Sequence, residues 1–330
     1  MSVKDVAFSS TMRPDEYVVR NQLQREKSIH ALELLEGSFR SEDTTDHQFL
    51  DVGCGPGDVT RDCLLPRCPP CRRIVAVDVS EDMLKYAQEH FAHPKICYDV
   101  LDIGSKDVSD FIERHGEFDR VYSFFCLHWI TDQETVLKNV AKLIKPGGEC
   151  LLLFTASSPM MRFRKKMSKM ERWQKYRKVC ASCVPPSIDL AEQADKAALI
   201  AYLTDLLKTA GLQPTTCKLL RAQRTHSSLE KLIGHLVIGE LVKEANSSQG
   251  TSHEELSPRQ NNRHKGCVDC LEYRWWRCLA LSKSGKERQP LPQASSWLGS
   301  ERQVHPREGD PVAAGARVLA GPADGEEGHR

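Results

Sequence analysis

Three glycines and three aspartates carry the first chemical signal of this chain. Residues 50–60 read Leu-Asp-Val-Gly-Cys-Gly-Pro-Gly-Asp-Val-Thr, an apolar approach running straight into a turn with glycine at 53, 55 and 57. Glycine has no side chain to hold off a ligand, so backbone can come close to a nucleoside there. Phe49, Leu50 and Val52 suit an inner parallel strand, and a helix starting at about Val59 would aim its amide-rich end at the same crevice. Arg73-Ile-Val-Ala-Val-Asp78 repeats the buried-strand pattern and ends in a carboxylate. As an acceptor-only group, Asp78 can take both hydroxyls of a ribose. A third pattern, residues 96–102, ends in Asp102, and residues 118–125 form a fourth. Together they point to a nucleotide-like cofactor.

The elements that must position these residues follow from the alternation. Four apolar strands separated by helical stretches predict an α/β, doubly wound, mostly parallel sheet with helices on both faces. Ahead of the first strand, residues 15–36 read as a helix whose Leu23, Leu32 and Leu35 mark an apolar side. Leu199 to Ala210 with Gly211 reads as a helix and its C-cap, and residues 215–225 as a sixth strand. Residues 160–202 begin strongly basic with interleaved aromatics. Cations with stacking rings would suit nucleic acid. Met160, Phe163, Met167, Met170 and Trp173 recur at three- and four-residue steps, however, which favours an amphipathic lid helix roofing a greasy substrate while its cations stay in water.

The cofactor type is constrained by the spacing. This is Gly-x-Gly-x-Gly with Asp51 two residues ahead, not the Gly-x-Gly-x-x-Gly of dinucleotide sites, so a pyrophosphate cradle is disfavoured. On these motifs residues 15–220 resemble the class I S-adenosylmethionine-dependent methyltransferases. The resemblance implies a seven-stranded Rossmann-like sheet. It also implies that Gly53, Gly55 and Gly57 line the methionine and ribose, Asp51 faces the amino group, Asp78 holds the ribose and Asp102 meets the adenine amine. Val79, Met83 and Ser123 complete that cofactor-binding set. Lys145-Pro-Gly-Gly148 and the six residues after it look like the family's turn into a fifth strand.

Two further segments are similar to the juvenile hormone acid O-methyltransferase family: Tyr17-Val-Val-Arg-Asn-Gln-Leu-Gln24, and Ser123-Phe-Phe-Cys-Leu-His-Trp129-Ile. Trans-aconitate methyltransferases share a similar His-Trp segment, so a carboxyl acceptor is implied more firmly than any one acid. By this resemblance Gln24 and Trp129 hold the substrate carboxylate of a small hydrophobic acid of farnesoic or juvenile hormone acid type. The chemistry agrees. Methyl transfer from a sulfonium needs mainly position and orientation, and a carboxylate is already ionised at pH 7. Neutral donors can fix one oxygen and leave the other nucleophilic, whereas a Lys or Arg there would favour the ground state. Phe124, Phe125 and Leu127 offer an apolar wall. His128 is a candidate base only for a hydroxyl acceptor. The alternative is a methyltransferase-fold protein that binds cofactor but has lost its substrate chemistry, or that acts on a macromolecule.

Composition sets the outer limits. The chain has 330 residues, 40% hydrophobic and 28% charged, with a net charge of +1, which gives no global pull toward nucleic acid. No run is long and apolar enough for a bilayer and residues 1–10 hold no signal-peptide core, so a cytoplasmic protein is expected. Three Cys-x-x-Cys pairs (68/71, 180/183, 267/270) lie too far apart in unlike contexts to suggest zinc, and no metal is expected. The domain reading is a methyltransferase domain over residues 1–245 and a tail over 246–330. No Phe follows Phe163, no Met follows Met170 and no Ile follows Ile238, so the tail is expected to be largely disordered. One island, residues 267–282 with Tyr273, Trp275 and Trp276, is a candidate for a last, antiparallel strand near 272–282.

Overall fold

The structure, a computed structural model, describes residues 13–35, 44–177, 184–185, 187–193, 196–226 and 268–282. All of these lie in the unit Met1–Gly285, and the second unit, Lys286–Arg330, lies outside them. Most of the expected tail, the second Cys-x-x-Cys pair and Cys267 of the third therefore fall outside what is described.

In chain order the elements are α1 (Pro14–Arg20), α2 (Gln22–Leu35), β1 (Gln48–Val52), a π-helical turn (Thr60–Leu64), β2 (Arg73–Asp78), α3 (Glu81–His90), β3 (Ile96–Val100), α4 (Ser109–His115), β4 (Phe118–Phe124), a 3-10 turn (Leu127–Trp129), α5 (Gln133–Leu143) and β5 (Ile144–Ser157). Then come α6 (Pro159–Ser168), a second 3-10 turn (Glu171–Tyr176), α7 (Ser187–Gln193), α8 (Lys196–Thr209), β6 (Leu212–His226) and β7 (Val268–Ser282). One seven-stranded sheet runs in the order β3-β2-β1-β4-β5-β7-β6. β1 to β5 are parallel, and β7 is antiparallel to both β5 and β6. The chain winds outward from β1 to β3, then returns beside β1 as β4 and winds the other way. The order therefore reverses between β1 and β4, and the crevice beyond their carboxyl ends is where such sheets bind ligands.

Alternation along the inner strands feeds two apolar layers. Leu50 and Val52 join Val136, Leu137, Val140, Leu143, Leu199, Leu203 and Leu207 of α5 and α8 on one face. Phe49 joins Ala31, Leu32, Tyr122 and Leu153 under α2 on the other. The adjacent Trp276 and Trp275 of β7 divide between those same layers. Each such fully buried side chain contributes about 1.5–3 kcal/mol, so β7 is held by packing as well as by its two ladders.

Three local expectations are corrected. The helix expected over 15–36 breaks at Asn21, a buried residue whose amide leaves the helix surface to bond Asp58. The helix expected from Val59 is mostly a π-helical turn. The lid ends at Ser168 and buries Met161 and Met167, while Phe163 is 50% and Met170 38% exposed, so the expected single apolar face does not form.

Candidate functional site

The glycine turn is bound to β2 before any ligand arrives. Gly53 N and Cys54 N donate to Val77 O at 2.8 and 2.9 Å, and Gly55 N donates to Asp78 Oδ2 at 2.9 Å. Asp78 Oδ1 accepts from Ser80 N at 3.0 Å. One bond to each oxygen leaves lone pairs for ribose hydroxyls. Burial raises the Asp78 carboxyl, and its backbone donors work against that.

The three glycines differ in what they serve. At Gly53 (φ +75) a Cβ would sit 2.3 Å from both Cβ and Sγ of Cys126, so this residue lets the end of β4 close onto the turn. At Gly57 (φ +84) it would meet Tyr98 Oη at 2.6 Å and Ala87 Cβ at 2.9 Å, so packing against α3 and β3 requires it. At Gly55 (φ +55) the nearest atom is Tyr17 Cε1 at 3.9 Å, leaving the space a ligand would approach.

Asp51 lies inside β1 and is 2% exposed, its Oδ2 accepting from Thr60 Oγ at 2.6 Å. Burial raises its carboxyl to about 7, the Thr60 bond works the other way, and the Asp78 and Asp58 carboxylates raise it further. A cationic group beside it would relieve this. Val79 is 50% exposed beside Asp78, an apolar surface at the mouth. Met83 is buried in the first turn of α3, its N donating to the Ser80 cap. Exposed Asp102 accepts from Gly104 N at 2.8 Å, and a Cβ on Gly104 would lie 3.1 Å from Ile130 Cγ2. Ser123 is buried and donates to Val52 O at 2.9 Å, tying β4 to the end of β1.

The segment after β4 comes within electrostatic reach of all three aspartates at Cys126. Phe125 takes φ +54, a strained conformation for a bulky residue, and turns the chain into Cys126 and the 3-10 turn. The Cys126 thiol is pushed up by burial first, then by the charges of Asp78, Asp51 and Asp102. His128 and Trp129 follow with ring centroids 5.0 Å apart. Buried His128 accepts from Thr155 N at its Nδ1, 3.4 Å away. Burial, and secondarily Arg164, lowers it to about 3. It is therefore neutral, with its other ring nitrogen protonated, and neither nitrogen is open to act as a base. Half-buried Trp129 lies under the guanidinium of Arg164, whose Cζ is 5.3 Å from the ring centroid.

Sequence reasoning missed two groupings. Asp58, 1% exposed, accepts from Asn21 Nδ2 at 2.9 Å and Arg25 Nη1 at 2.5 Å, fastening α2 to the glycine turn. The available signal was a polar Asn-x-x-x-Arg pair beside the Gly57-Asp58 step. Gln24 shares that helix and is half-buried, and among the described residues its amide makes no hydrogen bond. The second grouping is Arg164 on Trp129, with Arg162 Nη1 donating to Ser157 Oγ at 2.8 Å nearby. The expectation that the lid cations stay in water fails at Arg164, whose Nη1 is buried. Among the described residues no cluster of His, Cys, Asp or Glu could hold a metal, and Cys54, Cys63, Cys68, Cys71, Cys97, Cys126, Cys150, Cys217 and Cys278 are free thiols. No helix there is long and apolar enough to cross a membrane.

Residues 49–148 match the family described as a methyltransferase domain. The chain is 33% identical over 172 residues to juvenile hormone acid O-methyltransferase of Drosophila melanogaster, covering 52% of this chain and 57% of that one. It is 35% identical over 163 residues to the Bombyx mori enzyme of the same name, covering 49% and 57%. It thus spans a little over half the length of these curated relatives. Among solved structures, a Bacillus halodurans protein described as a methyltransferase superposes with a TM-score of 0.50 at 15% identity, over 78% of this chain and all of that one, which shows the fold.

Proposed function

From the methyltransferase domain that this chain carries over residues 49–148, we propose that the protein transfers the methyl group of S-adenosylmethionine to the carboxylate of a small hydrophobic acid, giving its methyl ester. The observation that carries this reading is the seating of the Cys126–Trp129 segment directly on the glycine turn through Gly53. Donor and acceptor thereby share one crevice at the reversal between β1 and β4.

The cofactor fits the residues present. Asp51 faces its ammonium, Asp78 its ribose hydroxyls, Val79 and Met83 its apolar surface, and Asp102 its adenine amine, beside an open Gly55. Bound there, S-adenosylmethionine supplies an already activated methyl group. The protein's own residues need then only hold the acid in line with the breaking carbon–sulfur bond. No proton has to be removed from an ionised carboxylate, which agrees with a neutral His128 committed to β5. In this reading His128 is a support that fixes Trp129, while the Trp129 indole and the unspent Gln24 amide orient the acid. The acid named in the relatives' shared name, and the similarity at Gln24 and Trp129, support a carboxyl acceptor of isoprenoid or fatty type.

The test is ester formation from labelled S-adenosylmethionine and farnesoic acid. Trp129→Ala is expected to lower kcat/KM about 10- to 100-fold, the loss of one or two oriented contacts, with calorimetric binding of S-adenosylhomocysteine unchanged. Cofactor binding without an ester from any carboxylic acid would instead favour a protein that keeps the donor site and has lost the chemistry. Product formed only on RNA or protein would favour a macromolecular substrate.

A further inference from the structure

One cation in the acceptor half keeps a nitrogen without a hydrogen bond among the described residues. Arg164 sits in the middle of α6, and its guanidinium lies over the Trp129 ring at 5.3 Å. Its Nη1 is buried and makes no hydrogen bond. A buried guanidinium nitrogen left unsatisfied costs about 1–3 kcal/mol or more, and nearby acceptors do not relieve it. Ser157 Oγ is taken by Arg162, and His128 Nδ1 by Thr155 N. Arg277 also has unpaired nitrogens, but it lies on β7 and no contact among the described residues links it to the glycine turn. Arg164 is so linked, through Trp129 and Cys126.

We propose that Arg164 is the carboxylate anchor of the acceptor pocket, a reorientation of its guanidinium over the Trp129 ring bringing the unpaired Nη1 out of its buried position to donate to one oxygen of the substrate acid. This rests on the carboxyl methyltransferase reading above. Arginine matches a carboxylate geometrically and stays charged at every working pH. The arrangement also answers the objection that a cation would damp the nucleophile. Stacking on an indole spreads the guanidinium's attraction over a second partner, and a single donor engages one oxygen, leaving the other free to attack. The consequence is a binding role: Arg164 sets KM for the acid and discriminates it from neutral isosteres, and contributes little to kcat.

The test compares farnesoic acid with its uncharged amide on the full chain saturated with S-adenosylhomocysteine, binding read by calorimetry, and follows turnover of the acid in parallel. Expected for Arg164→Met is acid binding about 10- to 100-fold weaker, the loss of one charge-assisted hydrogen bond. Amide binding and S-adenosylhomocysteine binding should hold, the KM for the acid should rise by the same factor, and kcat should be unchanged or slightly higher. Arg164→Lys should recover part of the acid affinity. If Arg164→Met fails to hold S-adenosylhomocysteine, the lysine variant decides by the same acid-to-amide ratio. Acid affinity equal to wild type in the variants, or acid and amide weakened together, overturns the inference while ester formation leaves the function standing. Acid binding that depends on Arg164 without any ester supports the anchor and overturns the function. Wild-type protein that binds no acid overturns both.

Discussion

The two halves of the crevice leave opposite kinds of polar group unspent. On the cofactor side, around β1, β2 and the glycine turn, carboxylates dominate and the unpaired atoms are acceptors, Asn21 Oδ1 and Asp58 Oδ1. On the side built by the Leu127–Trp129 turn and α6, the unspent group among the described residues is a donor, the buried Arg164 Nη1. A buried polar atom without a partner is costly, so each half is most stable with its complement in place. The complement of the first is a ligand rich in donors, such as an ammonium and ribose hydroxyls. That of the second is an acceptor such as a carboxylate. Under the proposed function, the contrast corresponds to a crevice polarised for one direction of transfer, from a cationic methyl donor to an anionic acceptor.

The largest expected break is at the hinge between the halves. Gly53→Ala must place a Cβ 2.3 Å from Cys126 while holding φ at +75. Overpacking and the unfavourable backbone together cost about 2–4 kcal/mol, and relief requires the Cys126–Trp129 segment to lift off the turn. Cofactor affinity and acid turnover should both collapse, as read by calorimetry and ester yield. Gly57→Ala is the contrasting case, because its clash is with Tyr98 and Ala87 and not with the acceptor side. It should lower the melting temperature, with the surviving folded protein keeping its KM for the acid. Equal effects of the two on that KM would dissolve the distinction between the halves.

A second, smaller break separates α2 from the turn. Asp58→Ala strands Asn21 and Arg25, the latter 30% exposed, so the loss is discounted from that of a fully buried pair to about 1–3 kcal/mol. Because Gln24 lies on the same helix, the KM for the acid should rise severalfold while Asp51 and Asp78 keep their backbone and Thr60 partners. Accelerated proteolysis near residue 21, with S-adenosylhomocysteine binding largely kept, would show this selective loosening. Unchanged acid KM would place Gln24 outside the acceptor site.

These differences explain what could be seen in the residues alone. The cofactor half is written in short local units, strand then glycine or aspartate, each meaningful without its neighbours. β1 to β4 and the fifth strand after Lys145-Pro-Gly-Gly148 were legible for that reason. The acceptor half depends on residues distant in sequence whose meeting no local period announces. Arg164 meets Trp129 across 35 positions, by subtraction of their numbers, and Asp58 meets Asn21 across 37. Helical spacing also misled at the lid. It grouped Phe163 with Met167, whereas the helix turns Met161 and Met167 inward and leaves Phe163 half in water. The three glycines, alike in sequence, proved to serve a hinge, an open approach and a packing contact.

The smallest expected effect is also the one that tests the polarity most directly. Asp51 has an ordinary carboxyl value of 3.8 and about 7 when folded. Between those values the folded protein holds a proton that the unfolded chain has released, so stability falls as pH rises through this window. His128 has an ordinary value of 6.5 and about 3 when folded. Between those, the unfolded chain holds the extra proton and stability rises with pH. From about pH 4 to 6.5 the two slopes oppose, so the ligand-free melting temperature should change little from these groups, then decline from 6.5 to about 7 as Asp51 acts alone. Asp51→Asn should uncover the His128 rise, and His128→Gln should steepen the Asp51 fall. Bound S-adenosylmethionine, by placing its ammonium against Asp51, should remove that fall and, below pH 7, release a proton on binding. Calorimetry in two buffers of different ionisation enthalpy reads that proton. Finding none at pH 6 would mean that Asp51 is already charged without the cofactor, and that its half of the crevice is not waiting for a cation.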